Sequence, residues 1–167
     1  MLRSLPWNWP ICCARSSNSL SAHNSVRGTR GRSVARKLAM QALYQWQLNH
    51  APPADIAREY LEGEATAGVD SEYFSELVHG CTAADAEFRQ VIAAFIDRPL
   101  ERLDPIETAI LMIGIFELRT RVDVPFRVVI NEAVDLCKRF GATEAHKYVN
   151  AVLDRAAREL RAAEPRG

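Results

Sequence analysis

From Ser33 to the end of the chain, apolar residues return every three or four positions, and no segment alternates apolar and polar residues for long enough to make a convincing strand. The pattern predicts an all-α protein. Ser33 is placed to cap a first helix running to about Asn49, whose Val34, Leu38, Leu43, Trp46 and Leu48 form a wide apolar surface. Pro52 and Pro53 separate it from a short second helix carrying Ile56, Tyr60 and Leu61, and Gly63 to Gly68 reads as a loop. Asp70 caps a third helix, in which Tyr73, Phe74, Leu77, Val78 and Cys81 share one face, with an end near Gly80. Thr82 and Asp85 form a weak capping box that opens a fourth, with Phe88, Val91, Ile92, Phe95 and Ile96 inward.

A brief linker, Arg98 to Leu103, leads to the sharpest start signal in the chain, Asp104-Pro105-Ile106-Glu107. The Asp side chain accepts from orphan backbone amides, Pro presets φ in the first turn, and Glu107 can reach back to the cap. The helix it opens is apolar on most sides, through Ala109, Ile110, Ile113, Phe116 and Leu118, which predicts a central position. Pro125 begins the next helix, with Val128, Val129, Ile130, Ala133, Val134 and Leu136 and a left-handed cap at Gly141. Thr143 caps a last one with Val149, Val152 and Leu153 inside. About seven helices result, in two packed bundles near residues 33–97 and 104–160 within a folded body of 32–162. Residues 163–167 read as a disordered tail.

Charge changes the picture. The formal net charge of zero hides a polarised molecule: the first carboxylate is Asp55, and seven basic residues precede it. Five of them, Arg27, Arg30, Arg32, Arg36 and Lys37, crowd the entrance to the first helix, and the rest of the chain carries a matching excess of acid. A basic arm on an acidic body is the electrostatic footprint of a polyanion binder, and neighbouring aromatic residues point to nucleic acid. Residues 1–31 form a flexible basic extension, rich in Ser, Asn and Arg, with Pro6 and Pro10 around Trp7 and Trp9. Its short, proline-broken apolar patch disfavours a secretory signal; a transit peptide and a plain extension from an upstream start codon both remain open.

Several classes of function find no support. No window approaches the roughly 18 apolar residues of a membrane span. Cys12, Cys13, Cys81 and Cys137 lack zinc or redox spacing, so reduced thiols in the cytoplasm are expected, with Cys81 and Cys137 in the core. His79 near Cys81, and Glu144 near His146, lack the further ligands of a zinc site, and there is no phosphate loop, dinucleotide fingerprint or nucleophile elbow. The expectation is a protein without catalysis, metal or cofactor.

Particular strings carry a family resemblance. Residues 35–47, ARKLAMQALYQWQ, followed in order by DVPF (123–126), INEA (130–133), RFGA (139–142) and HKYVNAVLD (146–154), resemble the bacterial transcription antitermination factors of the NusB family over roughly 32–162. The extension before Gly31 does not share in it. The resemblance implies an all-helical factor that binds single-stranded boxA RNA of ribosomal RNA transcripts together with NusE, ribosomal protein S-ten in its second role. It implies further assembly with NusA, NusG and RNA polymerase. By that resemblance the arginine-rich RNA-binding region maps onto Arg32 and Arg36, with Arg27, Arg30 and Lys37 as neighbours of matching character. It also assigns RNA contacts to Tyr44 and to Tyr148 beside Lys147, and places Glu107 at an RNA- and partner-facing edge. From pattern alone, Tyr44 between Leu43 and Trp46 reads first as a core residue with a satisfied hydroxyl. Five neutralised phosphates would give a salt slope near −3.5 for single-stranded RNA, at about −0.7 each. A helical protein-interaction module, and the detached RNA-binding domain of an rRNA methyltransferase, are the rival readings; monomer and homodimer are both open.

Overall fold

The computed structural model describes residues 25–63 and 68–164, with side chains from Gly28 onward. Among these residues there are seven α-helices and no strand: α1 Ser25–Asn49, α2 Pro53–Glu62, α3 Ser71–Ala83, α4 Asp85–Phe95, α5 Pro105–Thr120, α6 Phe126–Phe140 and α7 Ala145–Leu160. A single 3-10 turn, Leu100–Arg102, bridges α4 and α5.

The helix predicted to be central is central. Asp104 accepts the Ile106 N–H at 2.8 Å, Pro105 fills the first helical position, and every residue from Thr108 to Leu118 is buried. α5 packs against α1, α3 and α4 on one side and α6 and α7 on the other, so one continuous apolar core joins the two groups of helices. Gly114 lets α7 approach, since a Cβ there would lie 2.7 Å from a Leu153 methyl.

Five local expectations change. α1 begins at Ser25, not at a Ser33 cap: Gly31 does not break it, because this buried residue receives the start of α3, whose Asp70 N–H donates to the Gly31 carbonyl at 3.2 Å. Ser33 instead donates its hydroxyl to Glu132 at 2.7 Å, across to α6. α3 runs through Gly80 to Ala83, since the missing side chain at Gly80 admits the Phe116 ring, which a Cβ would meet at 2.2 Å. Thr82 therefore caps nothing; its hydroxyl bonds back to the Val78 carbonyl at 2.8 Å. At the far end Gly141 has φ −82°, and the left-handed residue is Glu144, φ 70°, which precedes α7 in place of a Thr143 cap. Residues 1–24, with their Trp and Cys pairs, most of the 63–68 loop, and 165–167 lie outside the described residues.

One bolt was not foreseen. Buried Arg161 donates to the carbonyls of Leu118 at 2.5 Å, Glu117 at 2.9 Å and Arg121 at 2.7 Å at the end of α5, adding to the backbone N–H groups that Glu117 and Arg121 also accept. It also pairs with Glu164 at 2.9 Å, and Glu164 accepts the Phe126 N–H at 3.0 Å at the start of α6. The end of the described chain thereby ties α7 to the α5–α6 corner.

Candidate nucleic-acid interface

Seven residues are two turns of helix, so Arg30, Lys37 and Tyr44 stand in one line along α1 at intervals of about 10.5 Å. Arg30 and Tyr44 are exposed, Tyr44 at 38%, and Lys37 is half-buried. Beside this line runs a seam against α6. Its first part is a groove of about 400 Å³ in which Arg30, Ser33, Val34 and Lys37 face Glu132, Asp135 and Arg139. Its second is an apolar cavity of about 730 Å³, where Tyr44 meets Leu48, Tyr60, Ile106 and Phe140. The ring of Tyr44 thus has an open face and apolar neighbours, the arrangement a stacked base requires.

Arg36 requires a correction. It is 2% exposed and belongs to the core, because a buried acid waits for it there: its Nε and Nη2 donate to Glu117 at 3.0 and 2.7 Å. Arg36 also donates to the Tyr73 hydroxyl at 3.2 Å, Tyr73 in turn donates to Glu117, and Glu132 approaches Nη1 at 3.5 Å. Burial works to lower the Arg36 pKa, but the Glu117 hydrogen bond and charge outweigh it and hold the guanidinium charged. Burial and then Glu117 push the Tyr73 hydroxyl upward, so it remains a donor. No part of this network offers a cation to a phosphate.

Arg32 is half-exposed but engaged, 3.1 Å from Asp123 and 3.9 Å from Asp70, with its guanidinium 4.9 Å from the Tyr73 ring centre. Arg27 lies in α1, but its side chain is outside the described residues.

The site continues around the start of α5. Gln47 of α1 donates to the Pro105 carbonyl at 2.9 Å, fixing the end of α1 against that corner. Glu107 is half-buried; burial and then the charge of Asp104 raise its pKa, with Arg98 and the Asp104 backbone opposing. Arg98 lies 4.0 Å over the Tyr148 ring, so one face of Tyr148 is already covered. The Tyr148 hydroxyl is raised by burial and then by Asp97 nearby, without the geometry of a made hydrogen bond. Lys147 is exposed and paired with Glu144. In the sequence Arg98 only opens a linker and Arg139 only belongs to the RFGA string; the pairing of α1 with α6, and the packing of Arg98 on Tyr148 of α7, give each a place.

Burial, followed by Glu107, pushes the Cys137 thiol up to about 12, and Cys81 is raised by burial as well. Among the described residues no three His, Cys, Asp or Glu side chains gather as a metal site, and no helix is long and apolar enough to cross a membrane.

The NusB family model matches residues 33–158. The chain belongs to the NusB family. It is 46% identical over 135 residues to the transcription antitermination protein NusB of Marinobacter nauticus, covering 81% of this chain and 85% of that one. With the NusB of Teredinibacter turnerae the identity is 50% over 137 residues, covering 80% and 91%. Among solved structures, NusB of T. maritima is similar with a TM-score of 0.70 at 26% identity, covering 77% of this chain and 91% of that one. A NusB in a crystal structure with NusE and double-stranded RNA gives 0.68 at 27% identity, covering 78% and 98%. The family match includes Lys37, Tyr44, Glu107, Lys147 and Tyr148, and begins after Arg30.

Proposed function

We propose that this chain is a transcription antitermination factor that binds the boxA RNA of ribosomal RNA transcripts as a single strand, together with NusE. It has no catalytic step: it holds RNA and protein in one assembly, with NusA, NusG and RNA polymerase as the further members and the cytoplasm as its place of action. The observation that carries the reading is the family match across residues 33–158, which takes in Lys37 and Tyr44 of the α1 line and the α5–α7 corner. The solved relative in complex with NusE and double-stranded RNA supports NusE and RNA as partner classes.

The geometry supports a division of labour. Arg30 and Lys37 supply sequence-independent attraction to phosphates, while Tyr44 offers a ring to an unpaired base. Glu107 and Tyr148 extend the surface at the α5–α7 corner, with Lys147 at its rim. A titration of labelled boxA RNA and a scrambled control, each with and without purified NusE, tests this. Tighter binding of boxA, strengthened by NusE, is the expected result; equal weak binding of both RNAs, unmoved by NusE, would favour a protein-interaction module with an incidental basic arm.

A further inference from the structure

We propose that Arg139, at the end of α6, is a phosphate-binding residue, and that RNA is gripped from both sides of the α1–α6 groove and not by the α1 arm alone. The inference rests on the RNA-binding reading above and names a contact that reading does not contain. Arg30, Lys37 and Arg139 line the same groove, and the side chain of none of the three makes a hydrogen bond or ion pair. Arg32 and Arg36, by contrast, are committed to carboxylates. A cation without a partner can meet a phosphate without first breaking an ion pair.

The acids of the groove sharpen the argument. Both Glu132 oxygens are engaged, one by Ser33 at 2.7 Å and the other facing Arg36 at 3.5 Å, so Glu132 is held toward α1. Asp135 has no such partner, which leaves three unpaired cations around one unpaired carboxylate. The positive excess attracts a polyanion, and the Arg139 fork, exposed in the last turn of α6, suits two oxygens of one phosphate. The same turn carries Phe140 into the Tyr44 cavity, so a strand held at Arg139 is led toward the ring of Tyr44.

The test uses the full-length protein and single-stranded boxA RNA at several salt concentrations, with Arg139→Ala, Arg139→Lys, Asp135→Asn and an Arg30→Ala/Lys37→Ala pair. Arg139→Ala is expected to weaken binding roughly fivefold at 0.1 M salt and to flatten the salt slope by about 0.7. Its melting temperature should stay that of the wild type. Arg139→Lys should retain the slope, and Asp135→Asn should tighten binding. If Arg139→Ala binds like the wild type while the α1 pair loses affinity, RNA binding stands and the role of Arg139 is overturned. If the wild type itself fails to bind the RNA, the functional reading falls, and Arg139 with it.

Discussion

Arg36 and Glu117, 81 residues apart in the chain, meet in the core with the guanidinium edge 2.7 to 3.0 Å from the carboxylate. The pair joins α1 to α5, and Tyr73 joins α3 to both. Neither charge reaches solvent, so the stability of each depends on the other. Removing one partner strands the other in a low-dielectric site, at a cost of about 3–5 kcal/mol.

Arg36→Ala should therefore lower stability by about that amount and the melting temperature by roughly 10 °C. Urea or thermal unfolding followed by circular dichroism measures it. Sequence reading alone would group Arg36 with the RNA contacts and expect no loss. Arg36→Met combined with Glu117→Leu should recover much of the deficit, since an apolar pair leaves no unpaired charge.

Asp123 answers a pH question. Hydrogen bonds from Arg121, with Arg32 adding to them, lower its pKa to about 2. A folded-state pKa below the unfolded one gives stability that is present above about pH 4 and is lost as pH falls toward 2. Asp123→Asn should make the protein less stable at pH 7 and flatten the fall in stability between pH 4 and 2, seen in denaturant titrations across that range. The same change releases Arg32 from its 3.1 Å contact, so RNA binding at pH 7 should tighten.

Arg161→Ala removes a donor from three carbonyls at the end of α5 and from Glu164; Glu117 and Arg121 keep backbone N–H partners at 3.0 Å, so the buried Leu118 carbonyl is the one left stranded. A loss of about 1–3 kcal/mol is expected, the cost of one stranded buried acceptor where water cannot replace the donor. Hydrogen exchange of the amides around the α5–α6 corner should quicken more than that of α1, which would place the damage locally.

Tyr44→Ala is expected to change stability by less than about 1 kcal/mol, since the ring is 38% exposed. Loss of a stacked base should weaken boxA binding by about 1–3 kcal/mol while scrambled RNA is affected less. Tyr44→Phe should keep most of the affinity, because stacking uses the ring. Equal losses on both RNAs would assign Tyr44 to general attraction and not to base readout.

What the sequence made legible was local. The Asp104-Pro105 start, the apolar α5 and the four-residue rhythm of α3 are written within single helices, and they appear as read. What it hid depended on a second helix. Gly80 looked like a stop because Phe116, which fills its missing side chain, arrives from α5. Ser33 looked like a cap because its true partner, Glu132, lies 99 residues away. The family resemblance assigned Arg36 to RNA, yet a helix turns neighbours to different sides: Lys37 faces the α6 groove while Arg36 faces Glu117. Paired with carboxylates, Arg32 and Arg36 drop out of the five-phosphate slope, and contacts from Arg30, Lys37 and Arg139 would give about −2.

The salt dependence of RNA binding tests the central claim most directly: Arg30 and Lys37 of the α1 line, and not the core arginine, are α1's contacts to phosphate. Binding of boxA RNA by the wild type and the Arg30→Ala/Lys37→Ala variant is measured by fluorescence anisotropy from low to physiological salt, beside thermal unfolding of both. The expected result is a slope flatter by about 1.4 and a large loss of affinity with an unchanged melting temperature. Wild-type affinity and slope in the double variant would contradict it.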